Sequence, residues 1–317
     1  MIDQSVKNDY DSPWKEVIEQ FFPEFIRFFF PKIYPEIDWA VDCVFLDKEL
    51  EKITQDAEVG KRIADKLVRV QLMGGEEAII FIHVEIQGSY EKAFESRMFI
   101  YNRRIGEKYD GDVVSLAILC DTNPKYRPDT FATERWGCEL NFKFPMVKLL
   151  DFQEKWDELE QHENVFAVVV MAHLKSLEVK QGNQRKYWKL ELVKSLYLRG
   201  WERAIVIQLF RFVDWIITLP KELETSFWDD VKQLEKEKAM RYMTTGERIG
   251  HEKGVQQGEI NKAREGVIDV LSIKFSNVAD KIVSVVNDTV DPVRLKAMHH
   301  EAVRTDSLEA FEKWMNK

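Results

Sequence analysis

The chain has 317 residues, of which 45% are hydrophobic and 12% aromatic, enough for a packed core and, by length, for roughly two domains. It has no run of about 18 apolar residues of the kind a transmembrane helix needs; the nearest stretch, 21–34, is interrupted by Pro23, Glu24, Arg27 and Pro31. A net charge of −9 argues against a protein that coats nucleic acid generally, which is usually basic; it does not exclude a nuclease, in which an acidic metal site adds negative charge while a local basic face holds phosphate.

The opening Met1-Ile2-Asp3-Gln4 lacks the charged-then-apolar layout of a secretory signal. Cys43, Cys120 and Cys138 are widely spaced and odd in number, which gives neither a disulfide framework nor a zinc site and predicts a cytoplasmic protein. Asp11-Ser12-Pro13-Trp14 reads as a helix start, with a capping residue followed by proline in the first turn. That helix is expected to end before Pro23 or to continue as a second piece to Phe30. Residues 38–46 are expected to be a short strand or irregular.

Two strands follow, separated by a Gly74-Gly75 turn. Because side chains alternate between faces, Val68, Val70 and Leu72 share one face of the first strand, and Asp65, Leu67, Arg69 and Gln71 share the other. In the second, Ile80, Ile82, Val84 and Ile86 make an apolar face, opposite Ile79, Phe81, His83, Glu85 and Gln87. A helix is predicted over 90–109, where Phe94, Met98, Tyr101 and Ile105 recur at spacings of three and four; its other side carries Lys92, Arg103, Arg104 and Lys108. Residues 112–119 read as a buried strand. The order helix, strand, strand, helix, strand predicts an α/β sandwich.

Beyond Pro145 the pattern turns helical, over 164–177, 185–199 and 201–219, with Pro220 separating a further helix that runs towards Met243, and no strand is expected. In the tail, Gly246, Gly250, Gly254 and Gly258 recur every four residues among polar neighbours. The segment reads as a helical linker weakened by glycine at about 1 kcal/mol each, or as a close-approach face through which the tail mediates homo-oligomer assembly. Residues 267–286 and 292–314 read as a small helical unit, with Val267, Val270, Leu271 and Lys274-Phe275 as its stripe. The expected domains are 1–145, 146–244 as a helical extension packed on the core, and 245–317 as linker and C-terminal helical unit.

The chemistry centres on Asp65, Glu85 and Gln87. A hairpin would bring the two carboxylates together, and like charges repel unless a cation or proton lies between them; oxygen ligands of this kind suit Mg²⁺. The same three residues would also suit the wet face of an edge hairpin, since short motifs match often by accident. The helix that follows supplies Arg97, Arg103 and Arg104 as cations for phosphate. Asp11 and Lys15 are first-helix candidates that also read as an N-cap and a solvated lysine. His83 reads better as a hydrogen-bonded strand histidine than as a base, and Tyr101 and Tyr126 better as core than as nucleic-acid contacts. His251 and His299-His300 have no neighbours at metal-ligand spacing.

The hairpin, the helix SRMFIYNRRIGEKY and the strand ending LCDTNPKYRP resemble the PD-(D/E)XK nuclease superfamily. More closely, DSPWKEVIEQFFPEFIRFFFP, DWAVDCVFLDKELEKI, DAEVGKRIADKLVRV, RKYWKLELVKSLYLRGW and LFRFVDWIITLP, in that order over about residues 9–250, resemble the Rpn family of recombination-promoting nucleases and transposase-like proteins. The resemblance implies a restriction-endonuclease-like αβββαβ core with Asp65 and Glu85 as metal ligands. The superfamily usually has lysine at the third position; here it is Gln87, a departure that Rpn-like proteins tolerate. The function implied is a Mg²⁺-dependent DNA endonuclease, with Mn²⁺ as a substitute, aiding recombination or transposition. Gln87 would orient a water, and Arg97 or Arg104 would neutralise the phosphate. The alternative is a catalytically silent DNA- or protein-binding module that assembles through its helical tail.

Overall fold

The computed structural model describes residues 11–48, 50, 65–74, 77–85, 93–237, 245–275, 278 and 280–315, with side chains except at 11, 12, 65, 77–79, 81–85, 237, 245–259 and 280. Within them the chain is a mixed α/β protein with a small sheet followed by a helical region. It divides into two compact units, Met1–Tyr242 and Met243–Lys317.

The first unit opens with helix α1, Asp11–Gln20, and helix α2, Phe22–Phe29. Pro23 falls in the first turn of α2, where a missing N–H costs nothing, so the predicted break is a junction between two helices. In α2, Phe22, Phe25, Ile26 and Phe29 are buried at helical spacing. A short 3-10 turn at Tyr34–Glu36 leads to strand β1, Val44–Phe45. Strand β2, Asp65–Gln71, pairs antiparallel with β1 and with β3, Glu77–Glu85. Gly74, in the β2–β3 connection, takes φ +128°, a conformation that residues with a Cβ avoid.

Helix α3, Phe94–Tyr109, then returns the chain so that β4, Val113–Leu119, runs parallel to β3. This crossover is what a parallel pair requires. Phe94, Met98, Tyr101 and Ile105 are all buried, as the spacing predicts, and pack with Leu67, Ala117 and Leu119 of the sheet. Asn102 ties α3 to the start of β4 by donating to Val113 O (2.8 Å) and Ser115 Oγ (3.1 Å). Tyr126 joins the same core, which settles the core reading for both tyrosines.

Two features go beyond the sequence expectation. Strand β5, Thr130–Arg135, and strand β6, Cys138–Lys143, form a separate antiparallel hairpin. Strand β7, Met146–Lys148, adds to β4 in parallel and completes the order β1-β2-β3-β4-β7. The expectation of no strand beyond Pro145 is corrected. Three residues are too few to display an alternation, and what makes them a strand is the open edge offered by Ala117, Ile118 and Leu119.

The opposite sheet face is covered from α1 and α2: Phe22 meets Phe45 with ring centroids 5.8 Å apart, and Glu19 reaches Lys66. After a 3-10 segment at Leu149–Lys155 come α4 (Trp156–Gln161), α5 (Val165–Glu178), α6 (Gly182–Leu198), α7 (Arg203–Ile216) and α8 (Lys221–Glu237). Every residue of α5 from Val165 to Leu174 is buried, as expected of a central helix surrounded on all sides. Asn164 caps it, accepting from Phe166 N while its own amide donates to Glu24 O. Trp14, Phe25, Phe29, Phe166 and Phe212 form the aromatic packing between α1, α2, α5 and α7.

The second unit contains α9 (Thr245–Phe275), α10 (Asp280–Asp288), α11 (Pro292–Arg304) and α12 (Leu308–Met315). Val267 and Leu271 of the predicted stripe are in its core with Ile282, Val286, Leu295 and Met298. Lys274 instead donates to the carbonyls of Val303 (2.8 Å) and Thr305 (2.6 Å) at the end of α11, satisfying acceptors that a helix C-terminus leaves open. The four spaced glycines fall on the backbone of α9, and the side chains around them lie outside the described residues. Among the described residues no helix is long and apolar enough to cross a membrane.

Candidate active-site edge

Strand direction decides which residues meet. Because β2 is antiparallel to β3, while β3, β4 and β7 are parallel, the start of β2 and the ends of the other three share one edge of the sheet. Asp65 stands opposite His83, Glu85 pairs with Leu119, and Leu119 pairs with Lys148. In open α/β sheets ligands bind outside the carboxyl ends of the parallel strands, so this edge is the natural place to look.

By alternation, the positions of Asp65 and Glu85 belong to the same face as Leu67, Ala117 and Leu119. That face is the one covered by α3. The side chains of Asp65, His83 and Glu85, and all of Gln87, lie outside the described residues. Diagonal neighbours across an antiparallel ladder stand about 7–8 Å apart, a separation at which two carboxylates can turn towards one ion.

The neighbouring side chains that are described are strongly charged. Lys66 is only 3% exposed and donates to Glu19 (2.7 Å) and to Asp47 (2.5 Å). It follows Asp65 directly and therefore points to the opposite face. Asp47 also accepts from Leu67 N (3.3 Å), which ties the segment after β1 to the start of β2. Next to this group, desolvation pushes the Glu16 carboxyl above its ordinary range; Arg211 pulls it down, Glu19 adds to the rise and Lys66 opposes it. Glu19 and Lys66 thus link α1 to the candidate edge.

A second buried pair sits at the ends of β4 and β7. Lys148 and Asp121 form a fully buried salt bridge. Lys148 also donates to Tyr126 O (3.3 Å), and Asp121 accepts from Asn123 N (2.8 Å), fixing the turn after β4. Just before it, the backbone carbonyl of Cys120 meets His173 Nε2 at 3.4 Å, while Trp14 Nε1 donates to His173 Nδ1 at 3.2 Å. With Nδ1 accepting, the ring proton belongs on Nε2. Full burial lowers the pKa of His173 to about 4, against a smaller upward pull from the Cys120 carbonyl.

The other expected site residues are dispersed. Arg97 is 4% exposed in the first half of α3, with its guanidinium 5.5 Å from the centroid of Phe94. Arg104 is partly exposed two turns later, about 10 Å along the helix axis, towards the end tied to the start of β4. Arg97 therefore lies nearer the carboxyl edge, and α3 does not bring the two arginines to one point. Arg103 is exposed and pairs with Glu107 at 3.5 Å. Lys15 is half-buried in α1, and the side chain of Asp11 lies outside the described residues. Among the described residues there is no group of three or more His, Cys, Asp and Glu side chains placed to hold a metal.

Sequence reading passed over Lys66, Glu19, Asp47, Asp121, Lys148 and His173. Asp121 and Lys148 carried a usable signal, since Asp121 stands at the polar end of an apolar run and Lys148 is a lone charge inside the apolar stretch 144–150. Glu19 and Asp47 did not, because only the packing of α1 and β1 on β2 gives them meaning. No family model, curated protein or solved structure matches this chain.

Proposed function

We propose that this chain is a Mg²⁺-dependent DNA endonuclease that hydrolyses phosphodiester bonds and aids recombination or transposition. One observation supports this most: the strand register gives Asp65 and Glu85 positions on one face at one edge of the sheet. The αβββαβ order of elements from α2 to β4 and the resemblance of the motifs to Rpn nucleases are consistent with it. Two carboxylates so placed favour a cation between them, and their hard oxygen donors suit Mg²⁺.

Asp65 and Glu85 would hold the ion, which when bound supplies Lewis-acid activation of the phosphate and of a water. The chain's own groups do the rest. Gln87 would orient the water through its carboxamide, and Arg97, the arginine nearer the edge, would offset phosphate charge. Lys66, clamped by Glu19 and Asp47, would fix the strand that carries Asp65.

Purified protein with Mg²⁺ should convert supercoiled plasmid to nicked or linear forms, and Asp65→Ala or Glu85→Ala should abolish the conversion. Equal cleavage by the variants would place the activity elsewhere. DNA binding without cleavage, under Mg²⁺ and Mn²⁺ alike, would favour the silent binding module.

A further inference from the structure

The β5–β6 hairpin ends in a feature that the proposed reaction leaves unused. Its two-residue turn is Trp136-Gly137, with φ +55° and +80°. Positive φ at both central positions is the geometry that normally selects Asn-Gly or Gly-Gly, and it is unfavourable for a bulky side chain. Trp136 is also 97% exposed, the most open of the large hydrophobic side chains among the described residues. An indole that is fully hydrated and held in a left-handed backbone does not serve the fold. Observed outliers of this kind concentrate at ligand contacts.

The arm that carries it is firmly based. Phe99 of α3 stacks on Phe131 (5.1 Å) and packs on Phe142 (5.6 Å), and Phe142 packs on Phe144 (5.6 Å). The last ladder pair, Arg135–Cys138, stands four residues beyond the Phe131–Phe142 pair, about 13 Å at strand rise, and the tip follows it. There the Arg135 guanidinium lies 5.4 Å from the Trp136 ring centroid, so a cation and an aromatic face are presented together.

We propose that Arg135 and Trp136 form a stacking platform for an unpaired nucleobase of the DNA substrate. This deepens the endonuclease reading and rests on it. A two-residue tip is too small for a protein interface, which buries about 800 Å² per partner, whereas one planar base matches an indole face. The charge pattern selects the base over the backbone. Glu134 stands opposite Glu139 in the ladder, and both are exposed, so the flanks of the tip repel phosphates. Base–aromatic stacking needs no cationic track and tolerates any sequence.

The test uses the full chain in EDTA, so that cleavage does not intervene, and fluorescein-labelled duplexes with and without an internal bubble of unpaired thymines. Fluorescence anisotropy should show tighter binding to the bubble. Trp136→Ala should lower bubble affinity about tenfold and leave paired-duplex affinity unchanged, while Trp136→Phe, which keeps an aromatic face, should stay near wild type. Unchanged bubble affinity in Trp136→Ala, or an equal loss on both DNAs, would overturn the platform. If plasmid cleavage still depends on Asp65 and Glu85, the endonuclease reading survives that failure. Wild-type protein that binds the bubble no more tightly than the paired duplex, or binds neither, would also overturn the platform, and plasmid cleavage in Mg²⁺ alone decides the endonuclease reading.

Discussion

His173 shows how much a single side chain can commit the fold. Its folded pKa of about 4 lies below the ordinary value of 6.5, so the unfolded chain binds the extra proton first. Stability is therefore full above about pH 6.5, declines as pH falls through the interval down to about 4, and is flat below it with respect to this group. The total is about 3 kcal/mol. Denaturation midpoints across this window should fall with acid in the wild type and fall less steeply in His173→Gln, which keeps a polar side chain without the titration. Nothing in VVVMAHLKS announces this role. The apolar run predicts a buried helix, but the partners Trp14 and the Cys120 carbonyl lie far away in sequence. The candidate carboxylates were legible for the opposite reason: Asp65 and Glu85 lie in adjacent strands joined by a short turn, and alternation alone assigns their face.

At the level of elements, the contact between β4 and β7 is the one most open to test. Lys148→Met would leave the Asp121 carboxylate buried without its counter-charge, and this should destabilise the first unit by about 3–5 kcal/mol, measured by urea denaturation. Replacing both partners, Asp121→Leu with Lys148→Met, should recover most of that loss, because two apolar groups of similar size need no desolvated charge. Elements with enough residues to show a period were readable in advance: α3 through Phe94, Met98, Tyr101 and Ile105, and α5 through its apolar run. Those made by tertiary pairing were not. Two-residue β1 and three-residue β7 exist because β2 and β4 offer them open edges. The β5–β6 hairpin turns on Trp-Gly, whose first residue is a poor signal for such a turn.

At the scale of the whole molecule, the chain is two compact units with separate cores, and each should respond to its own mutations. Leu271→Ala, at a fully buried position in the second unit, should cost about 2–5 kcal/mol. Hydrogen exchange should then quicken across α10, α11 and α12 while α3 and β4 keep their protection; slowed or unchanged exchange in the second unit would contradict its having a core of its own. The late arrival of β7 has a temporal consequence. The outer edge of β4 is sealed by residues that emerge from the ribosome some thirty positions after it. Until Lys148 has been synthesised, the nascent sheet presents an unpaired edge and an uncompensated Asp121. An unpaired edge recruits foreign strands, so during synthesis the hairpin between β4 and β7 acts as a delay: every residue inserted there lengthens the time for which the growing chain is sticky.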